Sequence, residues 1–221
     1  MAAPILYIGN KNYSSWSMRP WLALKWGAIA FDERVIPLGG EGYGKSQIRE
    51  VVAVSPSGRV PALHVDGVVI YDSLAICEWA AEQAPSLWPK DKVARALARS
   101  AAAEMHSGFA AIRNAFSMNI RRRMPKAPAF DADTQADLDR LFALWRERLA
   151  ASGGPFLFGE RSIADAMFAP VATRLRTYHI DTPAEVAAYC SAIFADDAFK
   201  QWEAAGAAEP WVIEQAESLY Q

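Results

Sequence analysis

The chain has 221 residues, 52% hydrophobic and 22% charged, with a formal net charge of -2. That length and apolar content suit one large domain or two small ones with a real core. The near-neutral charge advertises no nucleic-acid or membrane partner, and no run of 18 apolar residues offers a membrane span. The start, Met1 to Ile5, lacks the basic and apolar regions of a signal peptide, so a cytoplasmic protein is expected. Cys77 and Cys190 are isolated in apolar patterns and are expected as buried free thiols.

Ile5–Ile8 reads as a short buried strand closed by Gly9-Asn10. After a polar stretch, 20–26 reads as a helix with Ser17 as N-cap, Pro20 in its first turn and Gly27 as its stop. A second strand is expected over 31–38, a Gly-rich loop over 39–44, and a short helix over 45–54. Runs 60–65 and 68–71 flank Asp66-Gly67, a strong hairpin signal. Ser73 then opens a helix to about Gln83. The order β-α-β-α-β-β-α, read as two parallel crossovers and a hairpin, is that of a small α/β sheet of thioredoxin-like order.

From Asp91 the pattern turns all-helical. A long helical stretch runs from Asp91 to Met124, broken near Ser117. Leu138, Leu141, Phe142, Trp145 and Leu149 mark an amphipathic helix ended by Gly153-Gly154-Pro155. Ser162-Ile163-Ala164-Asp165 resembles a capping box, opening a helix in which Pro170 predicts a kink. Two further helices are expected over 183–195 and 197–205. The economical division is an α/β domain over 1–84 and an all-helical domain over 91–221, joined by a linker holding Pro85 and Pro89.

Three features of the first domain carry chemistry. Ser14, Ser15 and Ser17 stand where the first strand feeds the first helix. Free amides and a partial positive charge at that helix start favour an anion, and a hydroxyl can donate to it. Lowering a thiol pKa by two units takes about 2.7 kcal/mol, within reach of one dipole and one charge-assisted hydrogen bond. Simple helix capping explains the same serines. Val60-Pro61, if cis, would turn the Val60 backbone outward to pair with a peptide-like ligand, as an added strand does. Asp72-Ser73 at a helix start suits an α-amino acid end: the acid for an ammonium, the free amides for a carboxylate.

In this order the features resemble a known family. The runs Ser55-Pro56-Ser57-Gly58-Arg59-Val60-Pro61-Ala62-Leu63 and Tyr71-Asp72-Ser73-Leu74-Ala75-Ile76 are similar to the glutathione-site signature of the glutathione transferases. Ser162 to Asp165 is similar to that family's helix-capping segment. Ser14-Ser15-Trp16-Ser17-Met18-Arg19 is similar to the serine motif of its zeta class, which includes maleylacetoacetate isomerases. The class carries cysteine at the Trp16 position and usually arginine at the Trp21 position, so the resemblance carries glutathione binding further than isomerisation.

The resemblance implies glutathione as cosubstrate, no metal, and a homodimer. It implies Ser14 as the thiolate-stabilising residue with Ser15 as fallback. Val60, beside cis Pro61, would hold the cysteinyl backbone. Asp72 and Ser73 would hold the γ-glutamyl end, and Lys45 the glycyl carboxylate. Trp16, Met105, Phe109, Ile112 and Arg113 would line the pocket for a small hydrophobic or acidic electrophile, with Arg174 and Arg176 as further anion binders. Conjugation, isomerisation and peroxidase chemistry all need only the thiolate. A non-catalytic binding protein on the same scaffold is the competing reading. A disulfide oxidoreductase is disfavoured, since no cysteine opens the first helix. Arg121-Arg122-Arg123 reads as a solvated helix end, and the three histidines show no metal spacing.

Overall fold

The computed structural model describes residues 3–218. Strand β1 (Ile5–Ile8) pairs in parallel with β2 (Asp32–Val35) and antiparallel with β3 (Ala62–Val65), which forms a hairpin with β4 (Val68–Tyr71). The sheet order is β2-β1-β3-β4. β1 is central, and Leu6 and Ile8 are fully buried. The turn residues Asp66 and Gly67 take φ 47° and 81°. Two successive left-handed residues match the twist of a tight hairpin, which is why Asp-Gly predicts it.

Only one parallel crossover forms, not two. The connection from β2 carries α2 (Arg49–Val54), shorter than the helix expected over 45–54. The chain then returns beside β1 in the opposite sense. β2 is likewise shorter than expected.

Helix α1 (Ser15–Trp26) begins five residues before the expected start. Ser14, not Ser17, is its N-cap, accepting from the Ser17 amide. Pro20 consequently lies inside the helix rather than in its first turn. Helix α3 (Ser73–Gln83) is capped by Asp72, whose Oδ1 accepts from the Leu74 and Ala75 amides.

After a 3₁₀ turn at Pro85–Leu87 the chain is helical: α4 (Lys92–Ser107), α5 (Ala110–Ala115), α6 (Ala132–Ser152), α7 (Ile163–Thr177), α8 (Ala184–Ala195), α9 (Asp197–Ala208) and the short α10 (Glu214–Glu217). The first stretch breaks at Gly108 and Phe109, where Phe109 takes a left-handed φ of 53°, and again just before Ser117, where α5 ends and the chain stays non-helical up to Asp131. α7 runs unbroken through Pro170. Its start is fixed by Asp165, whose carboxylate accepts from the Ser162 amide and hydroxyl, the Leu157 amide and the Tyr189 hydroxyl.

One apolar core crosses both halves. Met18 and Leu22 of α1 and Ile76 and Ala80 of α3 join Met167, Phe168 and Val171 of α7. α1 therefore sits between the sheet domain and the helical domain, and its N-terminus opens onto the cleft between them. Cys77 and Cys190 are buried free thiols, as expected. Burial pushes the Cys190 thiol up to about 12 and Cys77 higher still, so neither is a nucleophile near neutral pH.

Candidate active site

Two adjoining cavities of about 540 and 390 Å³ form the cleft, sharing Trp16, Ser46, Arg59 and Val60. The first also holds Pro61, Asp72, Ser73 and His106, and the second Ser14, Ser15, Arg113 and Arg174. Residues expected from four separate stretches of sequence thus share one groove.

Ser14 ends a buried turn, Asn10 to Tyr13, in which the Asn10 carbonyl accepts from the Tyr13 and Ser14 amides. Its hydroxyl donates to Ser17 Oγ at 2.7 Å, and Ser17 Oγ also accepts from the Gly9 amide. Rotating the Ser14 proton toward the cleft costs that one bond, so the hydroxyl is available to a sulfur anion at the α1 N-terminus. Ser15 Oγ accepts from Arg174 Nη2 at 3.1 Å, which anchors its oxygen without using its own proton.

At the other end, Ser73 Oγ is buried and has no hydrogen-bond partner among the described residues. A buried hydroxyl left unpaired beside a helix start fits a ligand carboxylate. Asp72 takes φ 81° and points Oδ2 at His106 Nε2, 3.3 Å away. His106 therefore faces the cleft and closes the amino-acid end from α4. The Val60–Pro61 peptide is cis, and both residues line the groove.

The positive charge is concentrated near Trp16. The Arg19 guanidinium stacks on its ring at 4.2 Å and that of Arg113 lies 5.4 Å from it. Arg19 is fully buried, and none of its guanidinium nitrogens has a hydrogen-bond partner among the described residues. Burial, with Arg174 and Arg113 nearby, pushes it down to about 9, so it stays a cation at neutral pH. Burial and Arg113 likewise push Arg174 down to about 10. Arg174 is held by the Phe116 carbonyl at 2.6 Å and by Ser15. Among the described residues, none of these three arginines forms a salt bridge.

Several expectations are corrected. Met105 and Ile112 are fully buried and Phe109 packs on Phe168, so all three belong to the core. The face of α4 that carries Met105 packs on α7 and α5 packs on α6, and Tyr13, Leu38, Tyr43 and Met118 supply the apolar lining instead. Lys45 is exposed in its turn, whereas its neighbour Ser46, bonded to Arg59 Nε at 3.0 Å, lines both cavities. Arg176 pairs with Glu203 and stacks on Phe194. Arg121 to Arg123 are not a solvated helix end. They lie in a non-helical segment, where Arg121 donates to the Glu209 and Trp211 carbonyls and Arg122 to that of Glu217. Arg19 was not anticipated; an arginine at an apolar position of α1, three residues after Trp16, is the signal that could have found it.

A thioredoxin-like sheet domain and a helical domain meet across a groove in which a hydroxyl at a helix N-terminus suits a small anion. Residues 13–83 match the glutathione S-transferase N-terminal domain and residues 96–212 its C-terminal domain. Rat maleylacetoacetate isomerase is 28% identical, covering 80% of this chain and 81% of its own. Maleylpyruvate isomerase of Ralstonia sp is 29% identical over 90% of this chain and 98% of its own. A glutathione transferase homologue from Burkholderia, solved with bound glutathione, superposes with a TM-score of 0.69 at 25% identity, covering 91% of this chain and 96% of that one. The chain belongs to the glutathione S-transferase family.

Proposed function

We propose that the chain binds glutathione along this groove, with Ser14 donating to the sulfur, and turns the thiolate on a small anionic electrophile with an activated double bond. The tripeptide lies with its γ-glutamyl end at Asp72 and Ser73, its cysteinyl backbone at Val60, and its glycyl end toward Ser46 and Arg59. The thiolate adds to the alkene carbon conjugated with a carbonyl, and the electron pair moves to the carbonyl oxygen. Rotation about the bond that has become single, followed by loss of the thiolate, restores the alkene in the other geometry and regenerates glutathione. Without elimination, protonation of the same intermediate gives a conjugate.

The observation that carries the anionic substrate is the group of Arg19, Arg113 and Arg174 around Trp16 and Ser15, free of salt bridges among the described residues. A site with that much uncompensated positive charge favours an acid over a neutral molecule. The names of the maleylacetoacetate and maleylpyruvate isomerases, both of maleyl acids, support the same class. The working division is 1–84 for glutathione and 91–221 for the second substrate. A cytoplasmic homodimer fits the family, with exposed Val68, Tyr71, Val93 and Leu97 as its apolar contact. Among the described residues no helix is long and apolar enough to cross a membrane.

The test supplies the full chain with glutathione and, in parallel, a cis maleyl diacid and a neutral aryl halide. Isomerisation of the diacid without net loss of glutathione is expected, at a kcat/KM roughly tenfold or more above the halide. Preference for the neutral electrophile would sink the proposal.

A further inference from the structure

The turn that presents Ser14 is closed on itself at the Asn10 carbonyl, and its Lys11 and Asn12 backbone bonds reach far along the chain. Glu209, 198 residues downstream, spends both carboxylate oxygens on it: Oε1 accepts from the Lys11 amide at 2.7 Å and Oε2 from the Asn12 amide at 3.0 Å. The remaining groups of the turn are also met by the helical half. Trp202 Nε1 donates to the Lys11 carbonyl, and the Ile120 amide donates to that of Asn12. Beyond Glu209 the chain crosses over the turn and packs Ile213 and Ala216 against Tyr13. The Tyr13 hydroxyl donates to Glu217 at 2.6 Å.

Two consecutive backbone amides aimed at one carboxylate fix the peptide planes of residues 11 and 12. Those planes set where Ser14 enters α1. The groups assigned to the tripeptide's backbone and γ-glutamyl end, Val60, Asp72 and Ser73, come from elsewhere in the sheet domain and touch none of these bonds. The strap is therefore placed to govern the sulfur end of the site separately from the peptide end.

We propose that Glu209 is a positioning residue for thiol activation: the segment 209–218 holds the Asn10–Tyr13 turn so that Ser14 meets the glutathione sulfur. This rests on the function proposed above. Losing the carboxylate lets the turn relax and moves the hydroxyl off the sulfur, so the bound thiol becomes less acidic while the tripeptide still binds. A hydrogen bond to an anion is sensitive to small displacements, and so is turnover that depends on it.

The experiment uses the full chain with glutathione. The pKa of the bound thiol is read from thiolate ultraviolet absorbance against pH, and glutathione affinity from calorimetry, in wild type, Glu209→Ala and Glu209→Gln. Wild type is expected to hold the thiol well below the pKa of free glutathione. Glu209→Ala should cut the thiolate fraction at neutral pH about threefold or more, with affinity changed less than about twofold. Glu209→Gln, which keeps one acceptor, should fall between, and turnover should recover at high pH as the thiol ionises unaided. Should Glu209→Ala fail to fold, Tyr13→Phe, which cuts the turn's own tie to Glu217 while Asn119 still holds that carboxylate, is expected to shift the thiol the same way. A thiol pKa unmoved in the folded variants, with only the melting temperature lowered, would overturn the assignment alone. Wild-type protein that leaves the bound thiol unshifted, or binds no glutathione, would overturn it together with the proposed function.

Discussion

Arg174 donates through Nη2 to the hydroxyl of Ser15 at 3.1 Å, linking a helix of the C-terminal half to the motif that opens α1. The bond anchors the Ser15 oxygen on a buried cation, while the Ser14 hydroxyl, at the N-cap of α1, is the one we propose to turn to the cleft. Replacing Ser14 by alanine should lower turnover at least about tenfold and change glutathione affinity little, since the hydroxyl acts on sulfur and not on the peptide. Steady-state kinetics with binding measured separately check this; unchanged turnover would move the role to Ser15 or to a backbone amide.

The order of strands and helices in the first domain was legible because its signals are local: an apolar run, a capping serine, Asp66-Gly67 between β-rich segments. The serine motif, Val60-Pro61 and Asp72-Ser73 were legible as a combination for the same reason. The antiparallel return of β3 was not, because it is fixed by the pairing of Ile5 to Tyr7 with Ala62 to His64, far apart in the chain. Met105, Phe109 and Ile112 look alike in sequence whether a helix face meets a pocket or a core. The role of Arg121 and of Glu209 rests on contacts between residues about 90 to 200 positions apart, which no local pattern encodes.

Arg174→Met tests the substrate charge. The variant removes a buried cation but leaves the Phe116 carbonyl and the Ser15 hydroxyl short of a donor, a cost of about 1–3 kcal/mol partly offset by the charge no longer buried. Turnover of a diacid should fall roughly tenfold or more relative to a neutral electrophile, because one charge-assisted contact is lost only to the acid. A parallel loss for both substrates would mean that Arg174 acts through Ser15 alone.

Asp165 gives a pH signature of stability. Burial lifts its carboxyl to about 6, against the lowering effect of the Leu157, Ser162 and Tyr189 hydrogen bonds. The native state therefore holds this proton up to a higher pH than the unfolded chain, whose ordinary value is near 4. Stability from this group is complete below the unfolded value and is lost as pH rises through about 6. Two units correspond to about 3 kcal/mol. Asp165→Asn should abolish that slope and lower stability by about 2–4 kcal/mol at pH near 4, less at neutral pH, because two amides and two hydroxyls then share a single acceptor oxygen. Urea melts across the range measure it; a pH-independent difference would contradict the assignment.

Gly206 shows how tightly α9 bears on the turn before Ser14. A Cβ there would stand 3.1 Å from the Asn12 nitrogen and 3.1 Å from the Lys11 carbonyl carbon, both backbone atoms. A side-chain tip could swing away from such a contact, but a turn held by Glu209 and Trp202 can only shift as a unit. In Gly206→Ala the helix gains up to about 1 kcal/mol of intrinsic propensity, which opposes the steric cost. The melting temperature should therefore move little, while turnover falls severalfold because the displaced turn carries Ser14 with it. Differential scanning calorimetry beside kinetics separates the two effects. A variant that loses stability and activity in proportion would instead mean that α9 only supports the fold.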